Sequence, residues 1–349
     1  MSGNALQSAI RRIASGESLS SDETTAAFDL VMAGEATSAQ IAALLVGLRV
    51  KGETAAEVAG GARALRRAMN ALDTAAPDEL VDTCGTGGGR VTTFNISTGA
   101  ALLAAGAGVR VAKHGNRSFT SRCGSADVLE ALGVRIDMPL EAMRETLERA
   151  GIVFMFAPLM HPAMRHVGPV RREIAIPTVM NILGPLANPA RAGRQVVGVA
   201  DSGRLRLLAD ALAELGCVHA LVVHGEPGLD EVSPLGPTRV LEVRDGLVRE
   251  WTIDPRDFGI PEASAADLAG DAPADNARII EDVLSGRRRD GARSAVVLNA
   301  AAAIYVGSGG GSKRELFSDA VKLAESAMDS GAGLSALERL REASSASAA

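Results

Sequence analysis

Glycines, small hydroxyl residues and a lysine motif are the part of this chain best suited to chemistry. Asp82-Thr83-Cys84-Gly85-Thr86-Gly87-Gly88-Gly89-Arg90 is followed by Asn95-Ile96-Ser97-Thr98, then by Lys113-His114-Gly115-Asn116-Arg117-Ser118. Glycines without a Cβ let the backbone approach a ligand and take positive φ. Successive N–H groups then form a nest for an anion. A helix is expected to open at Asn95–Thr98, where free N–H groups and the helix dipole suit a phosphate. Ser97 and Thr98 add hydroxyl donors, Lys113 and Arg117 add positive charge, and Asn116, Ser118, Thr120 and Ser121 add polar contacts. Gly124-Ser125 opens another helix and a second possible anion site. Together these pieces are read as a cradle for more than one phosphate. The bland alternatives are a flexible glycine-rich turn and a solvated loop. The run is not a Walker A sequence, because no Lys-Ser/Thr follows at the required spacing, and it lacks the G-x-G-x-x-G dinucleotide spacing.

Two further groups stand out. Asp230-Glu231, in His224-Gly225-Glu226-Pro227-Gly228-Leu229-Asp230-Glu231, places adjacent carboxylates that repel one another unless a cation lies near. Mg²⁺ suits such a pair, since it takes few carboxylates and keeps substrate phosphates and waters; an exposed acidic loop is the alternative. His161-Pro162-Ala163-Met164-Arg165-His166 is read as structural, because no third metal ligand stands near the paired histidines. Arg171 and Arg172 offer a bidentate fork for a carboxylate, or surface pairing with Glu173. No nucleophile motif occurs, and Cys84 is read as a small apolar residue at a strand end.

These residues need a frame. Residues 1–70 read as four helices, with capping boxes at Ser20-x-x-Glu23 and Thr54-x-x-Glu57, Ser38 as an N-cap, and Gly34 and Gly52 at helix ends. Asp73–Pro77 is a linker. From residue 80, strands Leu80–Thr83, Val109–Ala112, Ile152–Phe156, Val196–Ala200 and Ala220–His224 alternate with helices Thr98–Ala107, Ser125–Leu132, Leu140–Ala150 and Arg204–Leu215. That alternation predicts an α/β fold with a parallel sheet between helices. Both the glycine run and the Lys113 motif follow strands, so they are expected to share the carboxyl edge where ligands bind. Val240–Ile253 is a hairpin turning at Asp245-Gly246. The prolines at 162, 169, 177 and 185 break the alternation, and this segment is expected to return to the N-terminal helices. The last 75 residues read as helices, with a frayed tail from Ser344.

Composition narrows the class. The 349 residues include 36 Lys+Arg and 42 Asp+Glu, a net charge of −6 that opposes bulk binding of nucleic acid. Aromatic content of 3% favours close-packed helices over a β-sandwich. The three cysteines, Cys84, Cys123 and Cys217, are widely spaced and are expected to be reduced, in a cytosolic protein. The polar N-terminus reads as neither a signal peptide nor a membrane span. The longest apolar stretch, within Val296–Val306, is too short to cross a bilayer and is expected as a buried helix.

Taken in order, the motifs resemble those of the anthranilate phosphoribosyltransferases. The likeness runs from about residue 5 to residue 343 through Gly85-Thr86-Gly87-Gly88, Asn95–Thr98, Lys113–Ser118, Gly124-Ser125-Ala126-Asp127, His161–Met164, Asn181–Pro189 and Asp230-Glu231. The resemblance implies a small all-helical domain (1–74 and 162–186) and a large α/β domain (75–161 and 187–343) with a mostly parallel central sheet, a fold shared with pyrimidine nucleoside phosphorylases. It also implies a homodimer built through the helical domain. The implied reaction joins anthranilate to 5-phosphoribosyl 1-pyrophosphate (PRPP) with release of pyrophosphate. By position, PRPP contacts fall on Gly85, Gly88, Gly89, Thr93, Asn95, Ile96, Ser97, Thr98, Lys113, His114, Gly115, Asn116, Arg117, Ser118, Phe119, Thr120, Ser121 and Ser125. Mg²⁺ ligands fall on Ser97, Asp230 and Glu231. Anthranilate contacts fall on Gly85, Asn116 and Arg171, with His114 lining the acceptor path. No acid or base is assigned, because the aromatic amine is already unprotonated at neutral pH.

One position departs from the family pattern. The glycine run usually ends Gly-Gly-Asp-Gly, whereas here it reads Gly87-Gly88-Gly89-Arg90. The expectation is that Arg90 contacts the pyrophosphate or that metal dependence is altered. Competing readings are a phosphoribosyltransferase with another aromatic or nucleobase acceptor, a nucleoside phosphorylase, and a non-catalytic nucleic-acid-binding relative. The acceptor-side residues, the acid pair and the negative charge oppose them.

Overall fold

The computed structural model describes residues 4–118, 122–308 and 314–346. The chain opens with helices α1 (Ala5–Ala14), α2 (Ser21–Met32), α3 (Ser38–Lys51) and α4 (Ala55–Arg67). Capping boxes at Ser20/Glu23 and Thr54/Glu57 start α2 and α4. The cap of α3 is Thr37 rather than Ser38: the Thr37 hydroxyl accepts from the Gln40 N–H while the Gln40 side chain accepts from the Thr37 N–H. Gly34 and Gly52 have φ of +78° and +89° just past α2 and α3.

The α/β part follows as β1 (Val81–Gly85), α5 (Ile96–Gly106), β2 (Val111–Gly115), α6 (Ser125–Ala131), α7 (Leu140–Ala150) and β3 (Ile152–Phe156). Next come α8 (Ala157–Met160), α9 (Met164–Ile174), α10 (Met180–Leu183), β4 (Arg194–Gly198), α11 (Leu205–Glu214), β5 (His219–Gly225) and the hairpin of β6 (Thr238–Arg244) and β7 (Leu247–Ile253). Asp245 and Gly246, with φ of 51° and 72°, form its turn. Helices α12 (Ala265–Leu268), α13 (Pro273–Leu284), α14 (Gly291–Gly307), α15 (Arg314–Asp329) and α16 (Ala332–Ala346) complete the chain. The end expected to fray from Ser344 is helical through Ala346. Ser344 is buried inside α16, where its hydroxyl accepts from the Arg135 N–H and donates to the Arg341 carbonyl.

Among the described residues, the seven strands lie in the order β3-β2-β1-β4-β5-β6-β7. Strands β1 to β5 pair in parallel and β6 and β7 antiparallel. Side chains alternate between faces. Val196, Leu221 and Val223 point into the core under α5, α13, α14, α15 and α16, whereas Val197, Ala220 and Val222 point into the core shared with α11 and the helices α1 to α4. A third cluster holds Ala112, Val153 and Met155 against Met143 and Leu147 of α7. α9 packs against α2 and α3, and α10 against α4, so the proline-punctuated segment leaves the sheet for the N-terminal helices.

The scarcity of aromatics has a packing reason. α5 and α14 are built mostly from Ala, Gly, Leu and Val and are buried nearly throughout. Even a Cβ on Gly99 would lie 3.2 Å from a Val296 methyl, so the two helices approach closely there and larger side chains have no room at that contact.

Candidate active site

The chain runs outward from β1 to β2 and β3, then returns to β4 on the other side of β1. The seam between β1 and β4 is therefore a topological switch point, where α/β sheets open a crevice at their carboxyl edge. Both strands end there in glycine, and Gly85 and Gly198 are register partners. The Asp230 turn lies directly on them. A Cβ on Gly85 would fall 2.6 Å from Asp230 Oδ2, and one on Gly198 would fall 1.7 Å from the Asp230 carbonyl oxygen. Gly225, which ends β5, makes the same allowance for Glu231, whose carbonyl would lie 2.6 Å from an added Cβ. The acid pair thus has its seat because three strands end without side chains.

The glycine loop closes over this seat. The Gly87 N–H donates to Asp230 Oδ2 at 2.9 Å, the Thr86 N–H to the Gly198 carbonyl at 2.9 Å, and the Arg90 N–H to the Gly228 carbonyl at 3.0 Å. Gly87 and Gly88 have φ of +71° and +82° with open space where a Cβ would point, the geometry of an anion nest. Asp230 and Glu231 are half-buried. Burial pushes the Asp230 carboxyl above its usual range, against the Gly87 N–H that holds it down. Glu231 is pushed up to about 8, by burial first and then by the Asp230 charge, with Lys113 and the Ser97 N–H opposing.

Lys113 and His114 were expected in a loop just past a strand; they lie within β2 and are buried. Lys113 is tolerated there because its Nζ donates to the Thr83 carbonyl (2.5 Å), Thr83 Oγ1 (3.3 Å) and Ser97 Oγ (3.3 Å). Burial lowers its pKa, against the attraction of Asp82. Asp82 is itself fully buried, accepting from the His114 N–H at 3.1 Å and from Asn188 Nδ2 at 2.7 Å. Glu231, Ser97, Thr83 and Cys84 line one small cavity with Asn299. The Glu231 carboxylate and the Ser97 hydroxyl at that cavity, with the Asp230 carboxylate adjacent in the chain over Gly85, make a set of hard oxygen donors that fits Mg²⁺. Among the described residues, no cluster of three or more His, Cys, Asp or Glu offers a softer site.

The remaining donor-side residues divide. Asn95 caps α5 without a side-chain cap bond; its amide instead donates to the Cys123 carbonyl and accepts from Asn276 Nδ2, tying the segment before α6 to α13. Ile96 and Thr98 are buried, leaving their backbone as the part nearest the edge. Thr93 is half-buried in the loop before α5. Arg117, read as a source of charge for a phosphate, is turned away: it pairs with Asp127 (2.8 Å) and Glu130 (2.5 Å) and lies over the Phe156 ring. Asp127 also takes the N–H groups of Gly124 and Ser118, so the start of α6 is already capped from within. Ser125 Oγ donates to the Asn116 carbonyl, and the absent Cβ of Gly115 leaves space for it. Phe119, Thr120 and Ser121 lie outside the described residues.

On the acceptor side, His161 partners His114 rather than His166. The two rings lie 4.9 Å apart and tilted by 53°. Burial, then the neighbouring His161, lowers His114 to about 3. Burial lowers His161 to about 4. Both rings are therefore neutral at physiological pH. His166 instead packs over Gly34. Arg171 is half-buried on α9, its pKa lowered by burial, and among the described residues no carboxylate pairs with it, Glu173 included.

Sequence reasoning passed over the supports of this site. Gly198 and Gly225 carried a signal, since each closes an apolar strand. So did Asn299, the lone amide in an otherwise apolar run; a buried polar group of that kind must have partners. Nothing local pointed to Asn276, which touches the site only through Asn95.

The comparisons with known proteins agree with this geometry. Residues 77–334 match the α/β domain of a glycosyl transferase family, and residues 7–69 match its helical bundle domain. The chain is 52% identical to an anthranilate phosphoribosyltransferase from Rubrobacter xylanophilus over 96% of each chain. It superposes on the anthranilate phosphoribosyltransferase of Thermus thermophilus with a TM-score of 0.90 at 41% identity, covering 98% of this chain and 99% of that one. It also superposes on the Saccharomyces cerevisiae enzyme in complex with PRPP and Mg, with a TM-score of 0.87 at 28% identity and 98% coverage of both.

Proposed function

The chain belongs to the anthranilate phosphoribosyltransferase family, and from that premise we propose how its own residues divide the reaction. The enzyme transfers the phosphoribosyl group of PRPP to the amine of anthranilate. A bond forms from the amine nitrogen to the anomeric carbon, the bond from that carbon to pyrophosphate breaks, and the amine gives up a proton. Departure of pyrophosphate leaves positive charge on the sugar, as in other glycosyl transfers. Mg²⁺, when bound, neutralises charge on the leaving pyrophosphate.

The observation that carries this reading is the seating of Asp230-Glu231 over Gly85 and Gly198, beside Ser97 and Lys113. Asp230, Glu231 and Ser97 would hold the metal. The Gly88 and Gly89 N–H groups bind phosphate oxygens, while the Thr86 and Gly87 N–H groups hold the loop onto Gly198 and Asp230; donors fixed in this way act without reorganisation at the moment of reaction. Lys113, fixed by Thr83 and Ser97, supplies fixed positive charge beside them. Arg90, whose side chain lies against Gly228, extends positive charge to the lip of the loop. His114 and His161, both neutral, give the acceptor path a polar lining without charge. Asn116 and the unpaired Arg171 receive anthranilate, with the guanidinium matched to its carboxylate.

The same reading divides the chain into a helical domain (1–74 and 162–186) and an α/β domain (75–161 and 187–343). The packing of α9 and α10 on α2 to α4 supports this division. It includes a homodimer through the helical domain and a cytosolic enzyme, the latter supported by three free cysteines. The deciding experiment is a steady-state assay of anthranilate consumption and pyrophosphate release on wild type and Arg171→Ala. Wild type turns over. The variant raises the KM for anthranilate by roughly 10-fold or more, the loss of a charged hydrogen bond, with the KM for PRPP nearly unchanged. Equal losses for both substrates would remove the carboxylate role.

A further inference from the structure

Helix α14 is apolar and buried over nearly its whole length, yet it carries Asn299 at 3% exposure. That amide has a specific occupation. Its Oδ1 accepts from the Val232 N–H at 2.8 Å, and its Nδ2 donates to the Val232 carbonyl at 2.8 Å. Both polar groups of one peptide residue are thus held by one side chain, as a neighbouring strand would hold them. The remaining Nδ2 hydrogen goes to the Ala295 carbonyl at 2.9 Å, which fixes the rotamer. Val232 directly follows Glu231, and Asn299 lines the same small cavity as Glu231 and Ser97. The Val232 side chain is anchored in the core below.

We infer that Asn299 is a positioning residue for the acid pair: by clasping Val232 it fixes where the Glu231 carboxylate projects and so sets the metal affinity of the site. The physical case rests on what opposes that placement. Glu231 is half-buried beside the Asp230 carboxylate, and the like charge favours swinging the side chain further toward solvent. Upstream of the acid pair, Gly225 and Leu229 exchange backbone hydrogen bonds. The clasp supplies the hold directly downstream, from a helix buried over nearly its whole length. Partners that orient metal-binding carboxylates typically change metal affinity by roughly 10- to 100-fold.

This inference rests on Asp230 and Glu231 being metal ligands, so the test separates the two claims. Mn²⁺ binding is followed by electron paramagnetic resonance with PRPP present and anthranilate absent, on wild type, Asn299→Leu and Glu231→Gln. Leu keeps the volume and apolar character of the α14 surface; if that variant does not fold, Asn299→Ser carries the same comparison. The expected result is Mn²⁺ affinity weakened at least about 10-fold in the Asn299 variant, together with faster hydrogen exchange at the Val232 amide, while the KM for anthranilate stays within about 2-fold. Normal Mn²⁺ affinity in the Asn299 variant, with Glu231→Gln impaired, overturns the clasp. Normal affinity in Glu231→Gln overturns the metal assignment and the clasp with it.

Discussion

The carbonyl oxygen of Asp230 lies where the β-carbon of residue 198 would be, 1.7 Å from it, and Gly198 is what makes that possible. The contact joins the end of β4 to a turn more than 30 residues later in the chain, at the seam where the sheet changes direction. Gly198→Ala leaves no alternative but movement of the Asp230 backbone, because β4 is held in register on both sides. A displacement on the order of 1 Å at a reacting centre costs roughly 100-fold in rate. The variant should therefore fold, with stability reduced by about 1–3 kcal/mol for a forced shift in a packed region, and lose at least that factor in kcat/KM. Thermal denaturation and steady-state kinetics check it; near-normal turnover would mean that the seat of the acid pair is not critical.

The His114–His161 pair gives a pH prediction. Their folded pKa values, about 3 and about 4, lie below the ordinary histidine value. Below about pH 6.5 the unfolded chain takes up protons that the folded chain refuses. The stabilisation is thus complete above that pH and is lost as pH falls toward the folded values. Each histidine contributes a slope of about 1.4 kcal/mol per pH unit within that window. His114→Gln removes one of the two and should flatten the dependence of unfolding free energy between about pH 6 and pH 5, above the range where most carboxylates titrate. Urea denaturation at several pH values measures it. An unchanged slope would show that His114 titrates normally in the folded protein.

Much of this architecture was legible because its determinants are local. Strand and helix alternation, the capping boxes and the Asp245-Gly246 turn are decided by neighbouring residues, and the structure reproduces them. The misplacement of Lys113 has a different origin. A lysine normally argues against a buried strand, and Asp82, Thr83 and Ser97, contributed by other elements, reverse that preference. The pairing of Arg117 with Asp127 and Glu130 on α6 was not legible for the same kind of reason, since a cation beside a glycine suits a phosphate equally well in sequence. The partnership of His114 with His161 and the clasp of Asn299 on Val232 join residues far apart in sequence, and no periodicity encodes such pairs.

Gly89 and Arg90 remain the most distinctive positions of the site, and the structure sharpens what replacing Gly89 would do. A Cβ at Gly89 would lie 3.2 Å from Asp230 Oδ1 and 3.2 Å from the Gly228 carbonyl, so a side chain there points at the acid pair. Gly89→Asp adds a third carboxylate to a place where burial and Asp230 already hold Glu231 at about 8. Without metal the added charge is repulsive, and the thermal midpoint should fall. With metal the same charge is an additional hard ligand or counter-ion, and the Mg²⁺ concentration for half-maximal activity should drop several-fold, at least about 3-fold for an added partner worth on the order of 1 kcal/mol. The two effects have opposite sign, so a general loss of folding cannot imitate them. Mg²⁺ titrations of activity, paired with melting curves at zero and saturating Mg²⁺, test both. Superimposable Mg²⁺ curves for wild type and Gly89→Asp would show that residue 89 has no part in metal use.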